Sequence, residues 1–225
     1  MADAVEQFVQ RWRPQVIIHT AYRKDVASIV DATRHVAAAA HAVGARLIHV
    51  SSDAIFAGRP LPYHEDDEPD PVHDYGRWKA AAEHEARRCA PSALVVRTSL
   101  LYSRTERSVH DQTAIDAADG VTDIAFFTDE LRNALFADDL AAALVRFGGR
   151  PAPVGVLNLA GPVALSRAEL ATYSCERHGR DASVLRFSTI ERSGLRRPGA
   201  VALDSSRAAA LGVTVAGPAP SSRVG

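Results

Sequence analysis

Lysine is nearly absent from this sequence. Of its 26 lysines and arginines, only residues 24 and 79 are Lys. Glycine is scarce at the start, with Gly44 alone among the first 57 residues. No G-x-x-G-x-x-G turn therefore lies there to set backbone N–H groups against a pyrophosphate. Cysteine is limited to Cys89 and Cys175, which form no CxxC. That speaks against a disulfide framework and for two reduced thiols in a cytoplasmic protein. No apolar run approaches the ~20 residues of a membrane span. The opening "MADAVEQFVQRWRP" has two acids and no apolar core, so a signal peptide is not expected. A formal net charge of −1 gives no global field to draw in nucleic acid or an anionic membrane. No basic, aromatic-interleaved stripe suggests nucleic acid either. A hydrolase would need a G-x-S-x-G elbow, and a zinc helix H-E-x-x-H or H-x-x-x-H. Neither occurs, and no metal is expected.

What is present reads as α/β. With 47% apolar and 24% charged residues, 225 residues suffice for one good core, or a core plus a small lobe. Val5, Phe8, Val9 and Trp12 recur at helical spacing, and Pro14 ends that helix. "VIIH" (16–19) is a short buried strand. "DVASIVDATRHVAAAAHAV" (25–43) is a long helix, with Asp25 as its cap and Gly44 as its stop. "RLIHVSS" and "ALVVRTS" are further buried strands. An acidic, proline-rich loop and the helix "HDYGRWKAAAEHEARR" (73–88) lie between them. Strands alternating with long helices predict a parallel sheet covered on both faces. Past residue 101 the pattern loosens. "DIAFF" and "VGVLNLA" read as strands, and "DDLAAALVRF" as a helix. Ser166 and Glu169 form a capping box before a helix that Gly179 stops. "DSSRAAALG" is a last short helix.

Lys79 stands four places after Tyr75, so both project from one helix face. A phenol, with a pKa near ~10, is a poor acid–base group at neutral pH. A nearby ammonium lowers that pKa. The compact ammonium also donates to a sugar hydroxyl, where a guanidinium prefers bidentate partners. Chance supplies a Y-x-x-x-K in such a composition roughly 0.04 of the time. Context adds to the argument. Ser52 closes the strand "RLIHVSS", and ligands of open α/β sheets bind at the carboxyl ends of strands. A hydroxyl, a phenol and an ammonium converging there would hold a carbonyl oxygen and shuttle its proton.

Several segments carry a family resemblance. "HVSSDAIFAG", "YHEDDEPDPVHDYGRWKAAAE", "VVRTSLLY", "FFTDELRNALFADDLAAAL", "LNLAGPVALSRAELA" and "RRPGAVALDSSRAAALG" occur in the order and spacing of the extended short-chain dehydrogenase/reductases. They most resemble the dTDP-4-dehydrorhamnose reductase, sugar-nucleotide-binding group. The resemblance covers most of the chain. It implies an NAD(P)-binding Rossmann-like parallel sheet over residues 1–100 and a smaller substrate lobe over 101–225, interleaved with the first. It implies reduction of a 4-keto nucleotide-sugar by NADPH or NADH, as in dTDP-rhamnose biosynthesis. Tyr75 would be the proton donor. Lys79 would tune it and bind the nicotinamide ribose, and Ser52 would polarise the keto oxygen. Ala21 and Tyr22 match the loop along the cofactor, and Asp53 and Leu100 fall where the family contacts the nucleotide-sugar. Arg132 is a further candidate, as a phosphate partner, with a solvated or structural ion pair as its alternative. Ala54 follows Asp53 where 4,6-dehydratases place Glu, which disfavours elimination and leaves epimerisation open.

The sequence also departs from the family. It starts about where the family's third helix should be, without the first strands and phosphate loop. The expectation is an N-terminally truncated sheet that grips a dinucleotide poorly. Its open edge would be covered by a second copy or a partner subunit. A non-catalytic relative, like the regulatory subunit of methionine adenosyltransferase, is the alternative that follows. His19 replaces the family's usual Asn, as a substituted loop residue or as a buried histidine with a satisfied hydrogen bond.

Overall fold

The structure, a computed structural model, describes residues 2–21, 23–149 and 153–219. Helix α1 (Ala2–Trp12) turns Val9 inward and leaves Phe8 and Trp12 exposed. Strand β1 (Val16–His19) leads to a π-helical turn, Ala27–Asp31, that runs straight into α2 (Ala32–Ala42). Asp25 caps this unit: its carboxylate accepts from the Ser28 backbone N–H at 2.7 Å and from the Ser28 hydroxyl at 2.9 Å. Gly44, at φ +69°, ends it. Then come β2 (Arg46–Val50), α3 (Asp74–Cys89) and β3 (Leu94–Arg97).

The second half is built from shorter pieces: β4 (Leu101–Tyr102), α4 (Val109–Ala118), β5 (Ala125–Phe127), β6 (Leu131–Arg132) and β7 (Leu135–Phe136). Helix α5 (Ala137–Phe147) and strand β8 (Gly155–Asn158) follow, then β9 (Leu165–Ser166) and α6 (Arg167–Arg177). Strand β10 (Arg186–Ser188), α7 (Ile190–Ser193) and α8 (Ser206–Ala210) complete the order.

Strands β1, β2, β3 and β8 form one parallel sheet in that spatial order. The central strands β2 and β3 are covered on both faces, whereas β1, expected to be buried, lies at the sheet edge with Ile18 exposed. On one face Ile48, Leu94, Val96 and Leu157 pack against Leu140, Leu144 and Phe147 of α5. On the other, Leu47 and Val95 meet Ala37 and Ala40 of α2, Ala86 of α3 and Ala90 just past its end. Small side chains let both helices lie close to the strands. Three two-stranded pairs make up the rest: β5 with β10 and β4 with β7, parallel, and β6 with β9, antiparallel. The Ser166–Glu169 box forms, and Ser108 and Asp111 make a second one at α4. Both thiols are free.

Candidate functional site

The site grows from the carboxyl ends of β1 and β2. After β2 the chain makes a single 3₁₀ turn, Asp53–Ile55, capped by the Ser52 hydroxyl, which accepts from the Ala54 N–H at 3.2 Å. The first turn of α3 presses on this corner. His73 caps α3 by accepting from the Gly76 N–H at 3.0 Å. A Cβ at Gly76 would stand 2.1 Å from the Ala54 carbonyl oxygen, so only glycine allows this approach. Tyr75, half-buried, precedes Gly76 in this first turn of α3.

Lys79, one helical turn on, is 5% exposed and donates from Nζ to the Val50 carbonyl at 2.8 Å. Burial pushes its ammonium down to about 8, against an opposing pull from Glu83. With Thr20, Ala21, His19 and His49 it lines a small recess at the strand ends. The site thus works against the fold. Below pH ~8 the folded chain holds a buried charge. Between there and the ordinary lysine value near ~10.4 it binds fewer protons than the unfolded chain, so stability rises with pH. Lys79→Met is therefore expected to be more stable at pH 7, by on the order of 1–3 kcal/mol. Paired thermal melts should show that gap closing as pH approaches the ordinary lysine value. A gap independent of pH would mean the ammonium carries no such penalty.

The other sequence-derived residues fall in different places. Ala21 is exposed at the recess, and Tyr22 lies outside the described residues. Asp53 is 4% exposed. Its carboxylate accepts from the Ser99 hydroxyl at 2.5 Å and the Ser52 hydroxyl at 3.3 Å. Burial raises its pKa, with Arg132 and both hydroxyls pulling the other way. Arg132 is itself buried and engaged. It donates to the carbonyls of Leu131 and Gly199, each at 2.6 Å, and of Pro198 at 3.2 Å. It also faces Glu130 at 3.3 Å and Asp53 at 3.7 Å. This guanidinium holds the 198–199 loop and the Asp53 corner in place, the structural alternative to a phosphate contact. Leu100 is half-buried and packs on Tyr102, Ala134 and Leu165. His19 is also half-buried, with its Nδ1 3.2 Å from Nδ1 of His49.

A second cavity, of about 470 Å³, was not foreseen. Phe126, Phe127 and Leu195 give it apolar walls, and Arg167 and Arg197 give it charge. Arg197 pairs with Glu130 at 2.5 Å. The Arg167 guanidinium makes no hydrogen bond or ion pair among the described residues, although burial disfavours its charge. An arginine so placed favours an anion. Nothing in the sequence marks it among two dozen arginines.

Comparison with known proteins decides the family. The model of the RmlD substrate binding domain matches residues 1–218. The chain belongs to this family. A dTDP-4-dehydrorhamnose reductase of Mycolicibacterium smegmatis, another relative, is 33% identical over 186 residues, 80% of this chain and 56% of that protein. The chain thus spans little more than half of that protein's length. The beta subunit of methionine adenosyltransferase 2 from Xenopus tropicalis is 28% identical over 94% of this chain and 69% of its own. Among solved structures, dTDP-4-dehydrorhamnose reductase from Bacillus anthracis, in complex with NADP, superposes with a TM-score of 0.81. It is 24% identical over 96% of this chain and 81% of its own. WbmG of Bordetella bronchiseptica, in complex with NAD and UDP, gives 0.81 at 21% identity, over 95% of this chain and 72% of its own. This member of the family therefore has the Rossmann-like fold of the NAD(P)-binding reductases.

Proposed function

We propose that this chain carries the catalytic corner and the substrate lobe of a reductase acting on a 4-keto nucleotide-sugar with NADPH or NADH. The observation that carries the reading is the buried Lys79, held against the end of β2 one turn from Tyr75, with Gly76 letting the start of their helix press on the turn after Ser52. The reductase relatives supply the reaction class. The nicotinamide end of the cofactor fits the residues present: Lys79, Thr20 and Ala21 edge one recess and suit ribose hydroxyls. When bound, the cofactor supplies hydride. Ser52 donates to the keto oxygen after turning its proton away from Asp53. Tyr75 delivers a proton to that oxygen, and Lys79 holds the phenolate that results. Asp53 and Arg132 position Ser52 from below, and Leu100 shapes the adjoining wall.

The nucleotide lies in the second cavity, with its base between apolar walls and its phosphates facing Arg167 and Arg197. Charge-assisted contacts are worth ~1.5–3 kcal/mol each. Arg167→Ala is thus expected to weaken binding of dTDP or UDP to this chain ~10–100-fold by calorimetry. Unchanged affinity would place the nucleotide elsewhere. The reading as a whole is tested by nicotinamide oxidation with a dTDP-4-keto-6-deoxy sugar. Nucleotide binding without any turnover would sink it. That outcome would favour a second reading, a binding or regulatory subunit, for which the similarity to the methionine adenosyltransferase beta subunit over 94% of the chain speaks.

A further inference from the structure

The register of β1 on β2 sets His19 opposite His49. Their rings stack with centroids 5.4 Å apart and planes 29° apart, and the two Nδ1 atoms lie 3.2 Å from each other. Such a contact needs one Nδ1 with a proton and one without. Thr33 indicates which. Its hydroxyl donates to the Ile29 carbonyl at 2.6 Å, so that proton is already committed. The same oxygen stands 3.5 Å from His19 Nδ1 and is left to accept there. His19 therefore carries its proton on Nδ1 and shares it between the Thr33 oxygen and, at the shorter distance, His49 Nδ1. His49, accepting on Nδ1, must carry its own proton on Nε2. His49 is 2% exposed, and that Nε2 has no hydrogen-bond partner among the described residues. Its ring lines the recess together with Lys79.

We propose that His19 and Thr33 lock His49 in the Nε2–H tautomer, so that His49 turns a donor rather than an acceptor toward the recess beside Lys79. Resting on the reductase reading, this makes the two histidines and Thr33 positioning residues for the Tyr75–Lys79 pair. A neighbouring N–H donor favours the neutral amine, and a neighbouring imidazole lone pair would favour the ammonium. Among the described residues, His19 from β1 and His49 from β2 share the recess with Lys79, and Tyr75 and Glu83 lie on its own helix. Of these, Glu83 favours the charge. Both histidines stay neutral. Burial, and then Lys79, push His19 down to about 4 and His49 well below its ordinary value.

The test uses the 225-residue chain and does not depend on turnover. Long-range proton–nitrogen correlation on ¹⁵N-histidine should show His49 protonated at Nε2 and His19 at Nδ1. With two lysines in the chain, each ammonium gives its own titration curve. His19→Leu removes the donor to His49, and Thr33→Val removes the acceptor from His19 with little change of shape. Both should let His49 move its proton to Nδ1 and should raise the Lys79 midpoint by about one unit, a tenfold gain in proton affinity. Should the His19 variant fold poorly, the Thr33 variant alone decides. His49 protonated at Nδ1 in the parent chain overturns the proposal, as does a Lys79 midpoint that stays put in the folded variants. Loss of the reductase reading would appear separately, as binding without turnover.

Discussion

On the proposed reductase reading, Tyr75→Phe is expected to lower keto-sugar reduction by ~10²–10⁴-fold, the usual contribution of a positioned acid–base group. It does so without weakening nucleotide binding, because the ring keeps its shape and the Arg167 cavity is untouched. The loss belongs to the chemical step. A keto oxygen that receives hydride at its carbon must gain a proton. In the proposed reaction Tyr75 gives it, one helical turn from an ammonium whose pKa burial lowers to about 8. Phe at this position leaves Lys79 with nothing to tune. The phenotype is thus a fall in kcat at nearly constant KM, read by nicotinamide oxidation. Turnover close to the parent value would show that Tyr75 is a packing residue and that the proton comes from elsewhere.

What the sequence could show follows from how far each contact reaches. The sheet was legible because strands buried on both faces carry consecutive apolar residues, as Leu47–Ile48 and Leu94–Val96 do. The long helix after β1 was legible from its period and from Asp25, although its first turn is π-helical. The short strands β4, β6, β7, β9 and β10 were not, since two or three residues show no period. Lys79 was legible because a chain that avoids lysine used one there. The reason for its neighbour Gly76 was not, because the carbonyl it makes room for belongs to Ala54, across a loop. Distance in the chain also hid the stacking of His19 on His49, which only strand register creates. Arg132 shows the reverse case. Its charge allowed a phosphate partner or a structural ion pair, and the partners the fold supplies are three carbonyls and two carboxylates.

Glu83→Ala destabilises the chain by ~3–5 kcal/mol, the cost of leaving a buried charge without its partner. Arg97 ends β3 at 3% exposure, and Glu83 lies on α3 at 4%. The guanidinium donates to the Glu83 carboxylate from Nε at 3.1 Å and from Nη2 at 2.9 Å, and from Nη1 to the Glu65 carbonyl at 3.1 Å. Its face lies 5.3 Å from the Phe56 ring. Removing the carboxylate strands the guanidinium between sheet and helix, where water cannot replace what is lost. The pair also fastens the helix that carries Tyr75 and Lys79, so the variant should act on the site twice. It loosens α3, and it removes the negative charge that favours the Lys79 ammonium, so the Lys79 midpoint should fall below its parent value. Replacing both partners by apolar residues, Glu83→Leu with Arg97→Met, should recover much of the stability, because no lone charge is left inside. Urea unfolding of the single and double variants separates these terms. A single variant that loses less than about 1 kcal/mol would mean that water already reaches Arg97. A double variant no better than the single would mean that shape, and not charge, is what Glu83 contributes between α3 and β3.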